Sequence, residues 1–243
     1  TLRIKSAACA TLLRYTQQRD PSFTTAREAA EMKTEGVVNT AELSSRVILI
    51  GASTGGTEAV REIVTRFPGR TPGIVVIQHM PGGFTRLFAN RLDSETAMKV
   101  KEAEDGDQII NGRILVAPGG KQLRLRRDSR TGYSVTLGDE RDPKMMAPSV
   151  DVAMTSAAEA VGAHAIGVVL TGMCSDGAVG LKAMRDAGTR GQAQDQATSV
   201  GFAMRTAPYN SGYADRQFPR GEIAMAISDL LPYLAPTSPP TPD

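Results

Sequence analysis

The sequence predicts an α/β fold: a doubly wound, mainly parallel sheet flanked by helices, with a β-hairpin insertion. Three observations carry this. Short strands almost bare of polar residues recur: "VILI" at 47–50, "GIVVIQH" at 73–79 and "AIGVVLTG" at 165–172. Segments with helical spacing of apolar residues separate them, and strands buried on both faces need helices on both sides. One stretch, "KQLRLRRDSRTGYSVTLG", instead alternates Leu123 and Leu125 with Arg124 and Arg126, the period-two pattern of a hairpin with one wet face.

Taken in order, "VILI" feeds the glycine loop "GASTGGT" and a helix from about Thr57 to Phe67, with Ala59, Ile63 and Val64 on one face. "GIVVIQH" leads into a helix containing Phe84, Leu87, Phe88 and Leu92. "KEAEDGDQI" reads as an exposed acidic turn. "ILVAP" precedes the hairpin, and "PSVDVAMTSAAEAV" reads as a helix before the third apolar strand. Helices from about Gly177 to Ala187 and from Glu222 to Leu231 complete the pattern. No repeat period is visible.

The flanks differ from this core. Ile4, Ala8 and Leu12 have helical spacing, whereas 16–45 is polar and reads as a linker with one helix-favouring patch, Ala26 to Lys33. Residues 236–243 form a Pro/Thr tail expected to be disordered. The expected boundaries are therefore 1–45, 46–235 and 236–243. Residue 1 is Thr, so the sequence reads as a fragment or a processed product.

Composition narrows the function classes. With 41% hydrophobic and 22% charged residues among 243, the chain can build one sizeable core or two small ones. A net charge of +2 shows no excess that would seek nucleic acid or a membrane surface, and the lack of Trp argues against a base-stacking face. Cys9 and Cys174 make no disulfide framework, and with only His79 and His164 beside them they supply no Cys/His metal site of the usual kind. No apolar run approaches a membrane span and no signal peptide opens the chain. The reading is a cytoplasmic protein without metal or cofactor.

Open parallel sheets bind ligands at the carboxyl ends of their strands. Here three apolar strands each end just before reactive side chains: Gly51-Ala52-Ser53, Gln78-His79, and Thr171-Gly172-Met173-Cys174-Ser175-Asp176. If the strands are neighbours, a serine, an imidazole and a carboxylate converge as nucleophile, base and orienting group. Gly51-Ala52-Ser53-Thr54-Gly55 satisfies G-x-S-x-G, and amides near Thr54 and Gly55 at the following helix N-terminus can face a developing oxyanion. Blander readings stand beside this one. The glycine loop could bind phosphate, although it lacks the P-loop lysine. His79 could be a satisfied strand-end histidine, and Asp176 an N-cap for the helix after Gly177. His164 reads as a loop histidine, "RLRRDSR" as a solvated hairpin face, and Met145 and Met146 as packing residues.

The motifs "IGASTGGTEA", "QHMPGGFT", "KEAEDGDQI", "APGG", "PSVDV" and "LTGMCSDGA" occur in an order that resembles the catalytic domain of the chemotaxis protein-glutamate methylesterases, which also act as protein-glutamine glutaminases. The resemblance is dense from Arg46 to Gln194 and thinner to about Leu231. It implies a doubly wound α/β domain that hydrolyses glutamyl methyl esters on chemoreceptor cytoplasmic helices and releases methanol. It also implies Ser53 as nucleophile, His79 as base and Asp176 as its carboxylate, with Thr54 an active-site position and Met173 a backbone oxyanion donor. "RIKSAACA" resembles the end of a receiver domain, which implies a partner receiver, phosphorylated by a histidine kinase, ahead of this segment. Departures are Cys174 in place of the usual glycine, strained if that backbone needs positive φ, and Gln196, Ala203, Arg205 and Pro208 in the segment after Gln194, where Pro208 would break a helix. A catalytically weak regulatory or receptor-binding module of the same fold is the alternative expectation.

Overall fold

The computed structural model of the chain describes residues 46–128, 132–139, 146–200 and 214–231. Contacts divide the chain into two compact units, Thr1–Glu35 and Gly36–Asp243, and every described residue lies in the second. The expected N-terminal helix and linker, the Pro/Thr tail, Met145 and the altered positions from Ala203 to Pro208 lie outside the described residues.

The apolar runs are the centre of the sheet. β1 (Val47–Ala52) and β2 (Gly73–Gln78) are buried at every position, as is β8 (Ala165–Val169). Around them run β3 (Lys99–Glu102), β5 (Arg113–Val116), β9 (Arg190–Gln194) and β10 (Arg216–Phe218). The order is β10-β9-β8-β1-β2-β5-β3, with every neighbouring pair parallel. The chain leaves β1 towards β2, β5 and β3, then returns to β1's other side with β8, β9 and β10. That reversal puts the topological switch at β1.

Period-two alternation divides the core. Val47, Leu49, Val75 and Ile77 pack on one face with Ala153 and Met154 of α3 (Val150–Ala160) and Leu181 and Met184 of α4 (Ala178–Asp186). Ile48, Ile50, Ile74 and Val76 pack on the other with three helices, α1 (Gly56–Val64), α2 (Phe84–Glu95) and α5 (Ile223–Leu230). In α2 only Phe88 and Leu92 of the four large apolar residues are buried; Phe84 and Leu87 are exposed.

The hairpin is present as β6 (Gln122–Asp128) and β7 (Gly132–Gly138), antiparallel, with Leu123 and Leu125 buried and Arg126 exposed. β4 (Gln108–Ile109) pairs with β7, making a three-stranded antiparallel sheet. The "KEAEDGDQI" reading needs correction. Only 104–106 form the exposed turn, while Lys101 and Glu102 belong to β3, Gln108 and Ile109 to β4, and Ala103 and Ile109 are core. Charged side chains lie along these edge strands because pairing, not burial, makes them strands.

Candidate active site

The loops after β1, β2 and β8 meet because those strands are adjacent. At the junction the Ser53 N–H donates to the Thr171 carbonyl at 3.0 Å, and the His79 N–H donates to the Ala52 carbonyl, also at 3.0 Å. The Thr171 hydroxyl donates to the Thr54 carbonyl at 3.0 Å and accepts the Val200 N–H. Gly55, with φ +77°, turns the chain into α1; a Cβ there would lie 3.0 Å from Val200 as well as in a left-handed backbone. Ser53 is half-buried and Thr54 exposed.

His79 and Asp176 are brought together. The ring Nε2 lies 2.7 Å from Asp176 Oδ2, and the His79 side chain is only 3% exposed. A carboxylate only accepts, so Nε2 carries the proton and Nδ1 is left as the ring's acceptor. Asp176 also accepts the Val150 N–H at 2.8 Å, the Asp151 N–H at 2.9 Å and the Ser149 hydroxyl at 2.9 Å. Burial works to raise the Asp176 pKa, but the His79 bond and these three donors prevail and hold it below the ordinary carboxylate value.

Asp176 therefore does not cap the helix that follows it. Gly177 is the N-cap of α4, with φ +105°, and Asp176 serves the N-terminus of α3 instead. α4 takes its cap from Asp151, whose Oδ1 accepts the Gly177 and Gly180 N–H groups at 2.8 and 2.7 Å. Burial raises the Asp151 pKa, with the nearby Asp176 charge adding to it against these two donors.

Ser53 Oγ makes no hydrogen bond to the His79 ring or to any other described residue. The Cys174 thiol is the group beside Nδ1, at 3.5 Å, and burial pushes its pKa up, so it stays a thiol. The strain anticipated for Cys174 is absent: no non-glycine among the described residues has positive φ. Met173 is 73% exposed, and the N–H groups of Thr54, Gly55 and Met173 bond to no described residue, which leaves three donors on the site's rim. Gln78 is buried beside them, its amide reaching the Ser53 and His79 carbonyls.

Other readings sort themselves by position. His164 lies in a short 3-10 turn, Gly162–His164, just before β8, at the opposite end of that strand from Asp176. Met146 is 48% exposed, which overturns the packing reading for it. Among the described residues no three His, Cys, Asp or Glu side chains cluster for a metal, and no helix is long and apolar enough to cross a membrane. Sequence reasoning missed Ser149, Asp151 and Gln78. Their only signal was adjacency to motifs already singled out.

Comparison with known proteins finds relatives of one family. The family model described as CheB methylesterase matches residues 48–227. A protein-glutamate methylesterase/protein-glutamine glutaminase of Syntrophotalea carbinolica is 50% identical over 202 residues, covering 83% of this chain and 57% of the relative. One of the same name from Sulfurimonas denitrificans is 46% identical over 201 residues, again covering 83% and 57%. The chain thus spans a little over half the length of these relatives. The crystal structure of the Thermotoga maritima CheB methylesterase catalytic domain superposes with a TM-score of 0.73 at 36% identity, covering 76% of this chain and 98% of that one.

Proposed function

The chain belongs to the CheB methylesterase family, and on that premise we propose that residues 46–235 form a cytoplasmic serine hydrolase acting on chemoreceptor glutamyl methyl esters. The observation that carries the reading is the bonded His79–Asp176 pair lying beside the Ser53 loop at the sheet's switch point. Ser53 Oγ attacks the ester carbonyl as His79 Nδ1 takes its proton. The tetrahedral oxyanion faces the N–H groups of Thr54, Gly55 and Met173, which bond to no described residue. Its collapse breaks the bond to the methoxy oxygen, which leaves as methanol with the proton from Nδ1. Water, deprotonated by the same nitrogen, then cleaves the acyl-serine and restores the serine hydroxyl. A glutamine side chain enters the same cycle and releases ammonia.

Asp176 is the orienting group in this scheme, since its bond to Nε2 fixes the tautomer that leaves Nδ1 basic. The rival, non-catalytic reading would be favoured by a Cys174 that distorts the site, and the backbone there has no positive φ. Phosphate binding by the glycine loop is also disfavoured, because two of that loop's N–H groups, those of Ser53 and Gly56, are already bonded within the protein. The resemblance of "RIKSAACA" to the end of a receiver carries a further proposal: a receiver domain, phosphorylated by a histidine kinase, is the partner that limits receptor access to the Ser53 edge.

The test is methanol release from methylated receptor membranes. Ser53→Ala should abolish nearly all of it, a loss of several orders of magnitude, while the fold persists. A Ser53→Ala protein that turns over near the wild-type rate would sink the assignment.

A further inference from the structure

Gln78 closes β2 and is 2% exposed, yet it carries a polar amide into the core beneath the site. Its Nε2 donates to the Ser53 carbonyl at 2.9 Å and to the His79 carbonyl at 3.1 Å. Both amide hydrogens thus go to the two residues assigned as nucleophile and base. Its Oε1, by contrast, is buried with no hydrogen-bond partner among the described residues, against Gly56, where an added Cβ would come within 2.3 Å. Rotating the amide by half a turn would set that oxygen against two carbonyls, so the orientation is settled by its acceptors. A buried, unpaired amide oxygen is costly, and what the side chain gives in return is two donations that no apolar residue of its size can make.

The backbone around it leaves little slack. Ser53 is held on the β8 side by its N–H to Thr171 and on the β2 side by Gln78, and its carbonyl also accepts the Gly56 N–H at 2.8 Å. His79 is held by its N–H to Ala52 and its carbonyl to Gln78. We infer that Gln78 is a positioning residue: one amide ties the backbone of Ser53 to that of His79 and so sets the distance between nucleophile and base. The inference rests on the esterase reading above.

The experiment measures kcat and KM for methanol release from methylated receptor, with thermal melts alongside, for wild type, Gln78→Met and Gln78→Glu. Gln78→Met keeps the volume and removes both donors; kcat should fall about 10- to 100-fold, as expected for small misplacements of reacting groups, with KM within about twofold. Gln78→Glu is isosteric. Ionised, it opposes both carbonyls; protonated, it regains one donor. Its kcat relative to wild type should therefore rise as pH is lowered from about 8 to about 5. His79, Asp176, Asp151 and Cys174 are present in both proteins, so the ratio isolates the charge at position 78 together with its action on those neighbours. If Gln78→Met does not fold, the Gln78→Glu ratio carries the test alone. A wild type that releases no methanol overturns the esterase reading and this inference with it. A working wild type with variants of unchanged kcat, a loss confined to KM, or a flat pH ratio overturns this inference only.

Discussion

Asp176 and Asp151 cap each other's helices. Asp176, in the loop leading into α4, accepts the first N–H groups of α3, and Asp151, in the first turn of α3, accepts those of Gly177 and Gly180 at the start of α4. Each carboxylate thus meets the positive end of the partner helix. The arrangement locks the β8–α4 loop to α3 and holds Asp176 where His79 can use it.

Asp151→Ala should therefore lower both stability and turnover. Loss of two hydrogen-bonded caps at a half-buried position costs on the order of 1–3 kcal/mol, and a loosened Asp176 reduces kcat. Asp151→Asn retains an oxygen acceptor and should be the milder change. Urea unfolding of both variants checks this; equal losses would mean that charge, not the caps, matters.

The two carboxylates should also leave opposite marks on stability against pH. Asp176 has a folded pKa below its unfolded one, so its contribution is whole above about pH 4 and is lost as pH falls through the lower folded value. Asp151 has a raised folded pKa, so its contribution is whole below the unfolded value and is lost as pH rises through the folded one. Unfolding at about pH 3 and about pH 7 should show Asp176→Asn more destabilising at the higher pH. Asp151→Asn should compare best with wild type there. The reverse ordering would contradict these assignments.

Turnover should separate the proposed base from its proposed orienting group. His79→Gln removes the proton acceptor and should approach the loss seen for Ser53→Ala, whereas Asp176→Asn leaves an imidazole in place and should retain more residual rate. Steady-state kinetics on methylated receptor decide it, and near-wild-type activity of His79→Gln would exclude Nδ1 as the base.

Cys174→Gly should leave activity within about tenfold of wild type, because the backbone at Cys174 needs no glycine and the thiol supplies no step of the reaction. The same kinetics test this. A large gain would show that the thiol beside Nδ1 obstructs Ser53.

How much was legible in the sequence follows from what each feature depends on. Unbroken apolar runs declared β1, β2 and β8 as central strands, and "KQLRLRRDSRTGYSVTLG" declared a hairpin, because burial on two faces or on one writes itself into composition. Given neighbouring strands, Ser53, His79 and Asp176 were bound to emerge at one edge. The strands β3 "KVKE", β9 "RGQAQ" and β10 "RQF" were not legible, since they are strands by pairing to a sheet already formed.

By itself, then, the sequence determined the layers of this protein and the edge at which its reactive side chains gather, since both follow from local periodicity and chain direction. Tertiary structure alone decided which polar group serves which. Asp176 meets a histidine 97 residues away and a helix N-terminus 25 residues away rather than the helix next to it, and Gln78 reaches Ser53 across 25 residues. Hydrogen bonds are short-ranged and directional, so a partner is chosen by distance in space after the strands have packed, and no spacing along the chain records that choice.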